Sequence, residues 1–148
     1  MANETPISIR GNLTSPPELR FTNSGAAVAS LTIASTPRTF DKQSNEWKDG
    51  TTLFLRCTAW RDLAENIAET FPDKGAAVVA TGNLIQRNWD DREGNKRISI
   101  ELELISIGPD LQRATAVVTK SQRSGGTSSG GRARYDDSKG QTEQTYGN

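Results

Sequence analysis

The 148-residue chain has no histidine, one cysteine, no long apolar run and no net charge. Without histidine it lacks the usual general base, the Ser-His and Cys-His nucleophile pairs and the commonest metal ligand. A phosphate-cradling loop of the GxxxxGK[ST] form is missing too, so nucleotide hydrolysis has no visible machinery. No catalytic residue, cofactor or metal site is expected. Asp90, Asp91 and Glu93 sit close together but lack the longer register of oxygen ligands that a calcium loop needs, and they read as a solvated turn. Cys57, alone and flanked at alternate positions by Leu55 and Ala59, has no intrachain disulfide partner and reads as a small buried apolar residue.

No segment approaches the ~20 apolar residues of a membrane span. Met1 to Glu4 opens without the basic and apolar regions of a secretory signal, so a cytoplasmic location is expected and no membrane partner. The zero net charge bears on nucleic acid, since phosphate affinity normally comes from Lys and Arg. Through residue 120 there are 14 basic against 15 acidic residues, and beyond it 4 against 3. Neither part is a polycation. Any affinity for a nucleic acid must rest on local placement and on stacking.

What the sequence does hold is period-2 alternation, broken by Gly, Pro, Asn and Asp, which is the signature of half-buried strands. A first strand sets Ile7, Ile9 and Leu13 against Ser8, Arg10 and Asn12. A second, Ala27 to Ser35, puts Ala29, Leu31 and Ile33 on one face, and Pro37 ends it. The polar stretch Arg38 to Gly50 reads as a long, functional or mobile loop carrying Phe40 and Trp47. The third strand, Thr52 to Trp60, is the most informative. Leu53, Leu55, Cys57 and Ala59 form a core face, while Thr52, Phe54, Arg56, Thr58 and Trp60 make a poor core and a good platform.

From Arg61 to Phe71 the period changes to that of a helix. Leu63, Ile67 and Phe71 with Ala64 and Ala68 share one face, Asp62 and Glu65 resemble a capping box, and Pro72 and Gly75 stop it. A fourth strand, Ala76 to Trp89, is followed by a fifth, Arg97 to Ile107, whose inward face is expected to be Ile98, Ile100, Leu102 and Leu104. Ile105 and Ile107 are expected to point outward. Ala114 to Thr119 is expected to add a short strand. From Ser121 onward, Ser, Gly, Gln, Thr and scattered charge leave nothing to bury, so residues 121–148 are expected to be a disordered Gly/Ser-rich tail.

Five strands with a helix between the third and fourth match an all-β OB-fold barrel, whose strand 2 and 3 face binds oligonucleotides or oligosaccharides. The strand pattern leaves that choice open. Gly11-Asn12-Leu13, Pro17-Glu18-Leu19-Arg20-Phe21, Gly25-Ala26-Ala27-Val28-Ala29, Leu63-Ala64-Glu65, Gly82-Asn83-Leu84 and Arg87-Asn88-Trp89 resemble, in order and spacing, the bacterial single-stranded DNA-binding proteins. The resemblance spans about residues 5 to 120. It implies an OB-fold domain over residues 1–110 that coats single-stranded DNA, with little sequence preference, in replication, recombination or repair. Phe54, Trp60 and Trp89 fall where that family stacks bases, Arg56 and Arg87 where a cation flanks them, and Phe40 near another aromatic position.

Trp47 is a further stacking candidate, and Arg38, Lys42, Lys48, Lys96 and Arg97 would trace the phosphate path. The resemblance also implies a homotetramer built as a dimer of dimers, a nucleoid-associated location, and an extra strand over residues 111–120 that clamps a neighbouring subunit. The family's usual tail closes with an acidic Pro-Phe tip that recruits replication and repair proteins. This sequence ends Glu143-Gln144-Thr145-Tyr146-Gly147-Asn148, so recruitment through that tip is not expected, and a second paralogue or a phage or mobile-element protein would be a natural home. Two other readings remain: an OB-fold accessory subunit of a replication or restart complex acting mainly through protein partners, and a barrel that binds sugars or other ligands.

Overall fold

A computed structural model describes residues 3–121; the expected disordered tail lies outside them except for its first residue. The described residues up to Ala116 form one compact unit, apart from the few described residues from Val117 on. That unit holds eight strands and one helix in the order β1 (Pro6–Leu13), β2 (Glu18–Phe21), β3 (Ala27–Ser35), β4 (Arg38–Asp41), β5 (Glu46–Asp49), β6 (Leu53–Trp60), α1 (Arg61–Thr70), β7 (Ala77–Asp90) and β8 (Lys96–Pro109). Pairing runs β1-β7-β8-β6-β3, and β1 pairs again with β3, so five strands close into the OB-fold barrel while β2 hangs on the outer side of β3. All these pairings are antiparallel except β6 with β8.

Closure happens at the end of β1, which pairs with β7 through Asn12 and with β3 at Asn12 and Leu13. Gly11 makes this crossing feasible, since a Cβ there would run into the Ala34 carbonyl. Alternation fills the interior as expected from Ile9, Leu13, Ala29, Leu31, Ile33, Leu55, Cys57, Ala59, Leu102 and Leu104, and Val78 and Ala80 of β7 join them. From α1, which packs on β3, β6 and β2, Ala64 and Ile67 join that core together with Phe71 just beyond its end. Phe71 is the only buried aromatic among the described residues.

Several expectations are corrected. Leu53 is 54% exposed, because it opposes only Ser35 at the open end of the β3–β6 ladder. Ile98 and Ile100 are 65% and 50% exposed, because the β7–β8 ribbon outruns the barrel and only its inner part is covered. Ile107, expected outside, packs against the core. Thr81 opposes Ser106 but Gly82 opposes Leu104, so Ile105 is an extra, unpaired residue that reverses the facing of everything after it.

The capping box does not form either. Trp60 is the cap residue, extended at φ −127° and ψ 149° with no side-chain cap bond, because β6 runs straight into α1. Arg61 makes the corner in the left-handed region at φ 58°. Within the single chain residues 111–120 carry no strand. Arg10 grips Asp110 Oδ2 through Nε and one terminal nitrogen at 3.0 and 2.7 Å and donates to Gln112 Oε1 at 2.6 Å. The chain turns there, and the described residues that follow carry no strand.

The stretch Arg38 to Gly50 is a hairpin rather than a loop, and β4 and β5 form their own two-stranded sheet. Phe40 opposes Trp47, with ring centroids 5.4 Å apart and planes at 69°. Arg38 pairs with Asp49 at 3.2 Å and Lys48 with Asp41 at 3.0 Å. Edge-to-face aromatics and opposite charges across a ladder each add a little to a ribbon that has no core of its own.

Candidate nucleic-acid interface

The outward residues of β6 are Phe54, Arg56, Thr58 and Trp60, opposite Ala34, Thr32, Ser30 and Val28 on β3. The same alternation that sends Leu55, Cys57 and Ala59 into the core sends these to the outside, where Phe54 is 64% and Trp60 38% exposed. On the other flank Arg56 lies beside Glu101 of β8, which in turn opposes Ile85 of β7. Arg87 and Trp89 follow Ile85 at two-residue steps and oppose Ser99 and Arg97. Directly opposed residues point the same way, so Phe54, Arg56, Trp60, Arg87, Trp89 and Arg97 share one outer face across three strands.

The remaining candidates are elsewhere. Lys96 opposes Asp90 on the other face of the ribbon. Arg38, Phe40, Trp47 and Lys48 belong to the β4–β5 hairpin, and Lys42 to its tip. The structure therefore brings Phe40 and Trp47 to each other but not onto the barrel wall.

The face is grooved. A depression lined by Glu18, Ser30, Thr32 and Arg56 meets, at Arg56, an open groove of about 540 Å³ lined by Arg56, Arg87, Trp89, Ser99 and Glu101. These two trace a path from β3 to Trp89 on the ribbon, while a third groove, lined by Gln86, Asn88, Asp90, Lys96 and Ile98, belongs to the opposite face and touches Trp89 and Arg97 only at its edge. Arg20 was not singled out from the sequence, yet it opposes Val28, which opposes Trp60, so it stands two strands from the indole on the same face. Alternation through Glu18–Phe21 would have found it had that run been read as a strand.

Electrostatically the face is compensated rather than basic. Arg87 Nε lies 2.9 Å from Glu101 Oε1 and Arg97 Nε 3.0 Å from Asp91 Oδ2, and on the other face of the ribbon Lys96 Nζ lies 3.6 Å from Asp90 Oδ1. Among the described residues, Arg56 and Lys42 of the candidate cations form no ion pair.

Asp91 Oδ1 accepts the backbone N–H groups of Glu93 and Asn95, and with Arg97 on Oδ2 these bonds hold its carboxyl below the ordinary carboxylate range. Its oxygens are thus spent on the turn. Lys48 and the Gln43 N–H do the same for Asp41. Burial, helped by the nearby Glu101 charge, pushes the Cys57 thiol up to about 12, so it stays protonated.

Comparison with known proteins finds relatives over most of the chain. The chain is 58% identical over 132 residues to the single-stranded DNA-binding protein of Mycobacterium tuberculosis, spanning 89% of this chain and 80% of that one. With the protein of the same name from Paenarthrobacter nicotinovorans it shares 53% over 145 residues, 98% of this chain and 84% of the relative. A crystal structure of a small single-stranded DNA-binding protein from Streptomyces coelicolor superposes with a TM-score of 0.65 at 35% identity, over 76% of this chain and 99% of that one. Residues 5–108 match the Single-strand binding protein family along the whole barrel, and the chain belongs to that family.

Proposed function

We propose that this protein binds and coats single-stranded DNA with little sequence preference, in the service of replication, recombination or repair. Bases stack on Phe54, Trp60 and Trp89, while Arg56, Arg87 and Arg97 meet phosphates. The observation that carries this reading is the placement of the aromatics. Among the described residues only Phe71 is in the core, and Phe21, Phe40, Trp47, Phe54, Trp60 and Trp89 are 38% to 64% exposed. Large aromatic rings dominate most cores, so leaving six outside forgoes burial that folding would otherwise use. Three of them share a grooved face with arginines, and relatives over most of the chain are named for binding single strands.

The activity is binding; no reaction is assigned. Filter binding with single-stranded DNA, duplex and RNA tests it: tight retention of single strands over duplex is expected. Equal retention of all three, or of none, overturns it.

The working form is proposed to be a homotetramer, a dimer of dimers, in the cytoplasm with the nucleoid. The free edge of β2, the projecting ribbon with Ile98 and Ile100, and Ile105 at 62% exposure support contacts between copies. Residues 111–120 are proposed to pair with a neighbouring subunit, which would explain apolar side chains such as Leu111 without a strand partner in the single chain. Light scattering at micromolar concentration should give the tetramer mass, and deleting residues 111–120 should promote dissociation. A monomer mass refutes the assembly, and an unchanged dissociation profile refutes the clamp.

A further inference from the structure

Glu101 is a carboxylate in the middle of the groove proposed to hold a polyanion. It sits on β8 between Arg56 of β6 and Ile85 of β7, and Arg87 reaches it from two residues along β7. Its side chain is only 14% exposed, against 47% for Arg87, and the contact is a single Nε to Oε1 hydrogen bond of 2.9 Å. A structural role does not require it there. Partly exposed ion pairs contribute little to stability, and a neutral polar residue on the solvent face of a strand would serve the ladder equally well.

Resting on the reading of this face as the strand-binding site, we infer that Glu101 is an internal competitor that limits affinity by occupying Arg87 when no DNA is bound. Carboxylate and phosphate oxygens seek the same guanidinium donors. A phosphate arriving at Arg87 either displaces Glu101, whose charge then lies unpaired beside it, or shares the cation with it. In both cases the strand gains less than from a free arginine. The ordinary release of counterions, about 0.7 in the salt slope per phosphate neutralised on a single strand, is blunted as well. Among the described residues Arg56 forms no such ion pair, so the groove combines one unpaired and one compensated cation. The compensated one keeps bound strands exchangeable.

The test is filter binding of the full chain to a single-stranded oligothymidylate over a salt series. Glu101→Gln keeps the length and an acceptor oxygen for Arg87 while removing the charge. One unit charge at contact distance in solvent is worth about a fivefold change. Binding should therefore tighten about fivefold at low salt, with the gain shrinking as salt rises and the slope steepening by about 0.7. In an Arg87→Gln background the same substitution should gain clearly less. Glu101→Thr, suited to a strand, should reproduce the effect and guards against a folding defect peculiar to Gln. Unchanged or weaker binding by both variants overturns the inference, and so does a full gain that persists without Arg87, because Glu101 would then be a bare repulsive charge. Trp89→Ala in the same assay separates the two levels. If it weakens binding while the Glu101 variants change nothing, the face stands and the competition fails; if it has no effect, the face itself is wrong and the inference falls with it.

Discussion

Replacing Trp89 by Ala sets stacking against packing at the position where the two are best separated. Trp89 stands on the ribbon beyond the closed barrel, 51% exposed, and takes no part in the core. A tryptophan buries roughly 150–250 Å² when enclosed, so about 100 Å² remains open to a base, worth about 2.5 kcal/mol at ~25 cal/mol per Å². That lies near the top of the ~1–3 kcal/mol measured for a base on an aromatic ring. Affinity for an oligothymidylate in filter binding should fall some tens of fold, within the roughly 5- to 150-fold that such energies span. Thermal stability, followed by far-ultraviolet circular dichroism, should change by no more than about 0.5 kcal/mol, as for other surface substitutions. A lowered melting temperature with unchanged affinity would refute the reasoning and turn the ribbon face into packing surface. Trp60, 38% exposed and opposite the buried Val28, should show a loss of binding together with some loss of stability.

Gly11→Ala should destabilise by about 1–3 kcal/mol in a denaturant titration, because its methyl meets the Ala34 carbonyl at the barrel seam; an unaltered midpoint would mean the strands part easily there. Arg56→Gln should flatten the salt slope of binding by about 0.7, and an unchanged slope would remove Arg56 from the phosphate path. Cys57, buried and with its thiol raised to about 12, should resist alkylation at pH 8 until the chain is unfolded, so rapid labelling of the native protein would contradict its placement. The Asp91 carboxyl titrates below its ordinary range in the folded state, so the stability it confers is complete above the unfolded value and is lost as pH falls through the folded one. The stability gap between the native protein and Asp91→Asn should therefore be constant near neutrality and close below about pH 4; a gap that persists at pH 2 would show the turn does not depend on that charge.

Alternation was legible wherever one face of a strand packs and the other does not, which is why β1, β3, β6 and the inner half of β7–β8 follow from the residues alone. The β4–β5 hairpin was hidden because both of its faces meet solvent, and its cohesion comes from cross-strand pairs that have no period. Parity in β8 failed after Ile105, since a single unpaired residue leaves no mark in composition but exchanges the two faces. The capping pattern at Asp62 and Glu65 misled because a strand feeding directly into a helix leaves no room for a cap.

At the site, Phe54, Arg56 and Trp60 were visible at two-residue spacing within one run. Arg20 and Glu101 were not, because what matters about them is the strand alongside. The phosphate path was likewise drawn too broadly. Lys96 and Arg97 are neighbours in sequence yet face opposite ways, and the acids that neutralise Arg38, Lys48 and Arg87 are found only through the ladder.

The exile of tryptophan from the interior also decouples the protein's light emission from its folding. All three indoles, at positions 47, 60 and 89, already meet water in the native state, and the core that melts is aliphatic apart from Cys57 and one phenylalanine. Native emission should lie toward the red, and heat or denaturant should shift it little while the barrel comes apart. Following unfolding by tryptophan fluorescence would then return a shallow, misleading transition and an apparently robust protein. The same property makes the fluorophores clean reporters of occupancy, since whatever covers them comes from outside the fold.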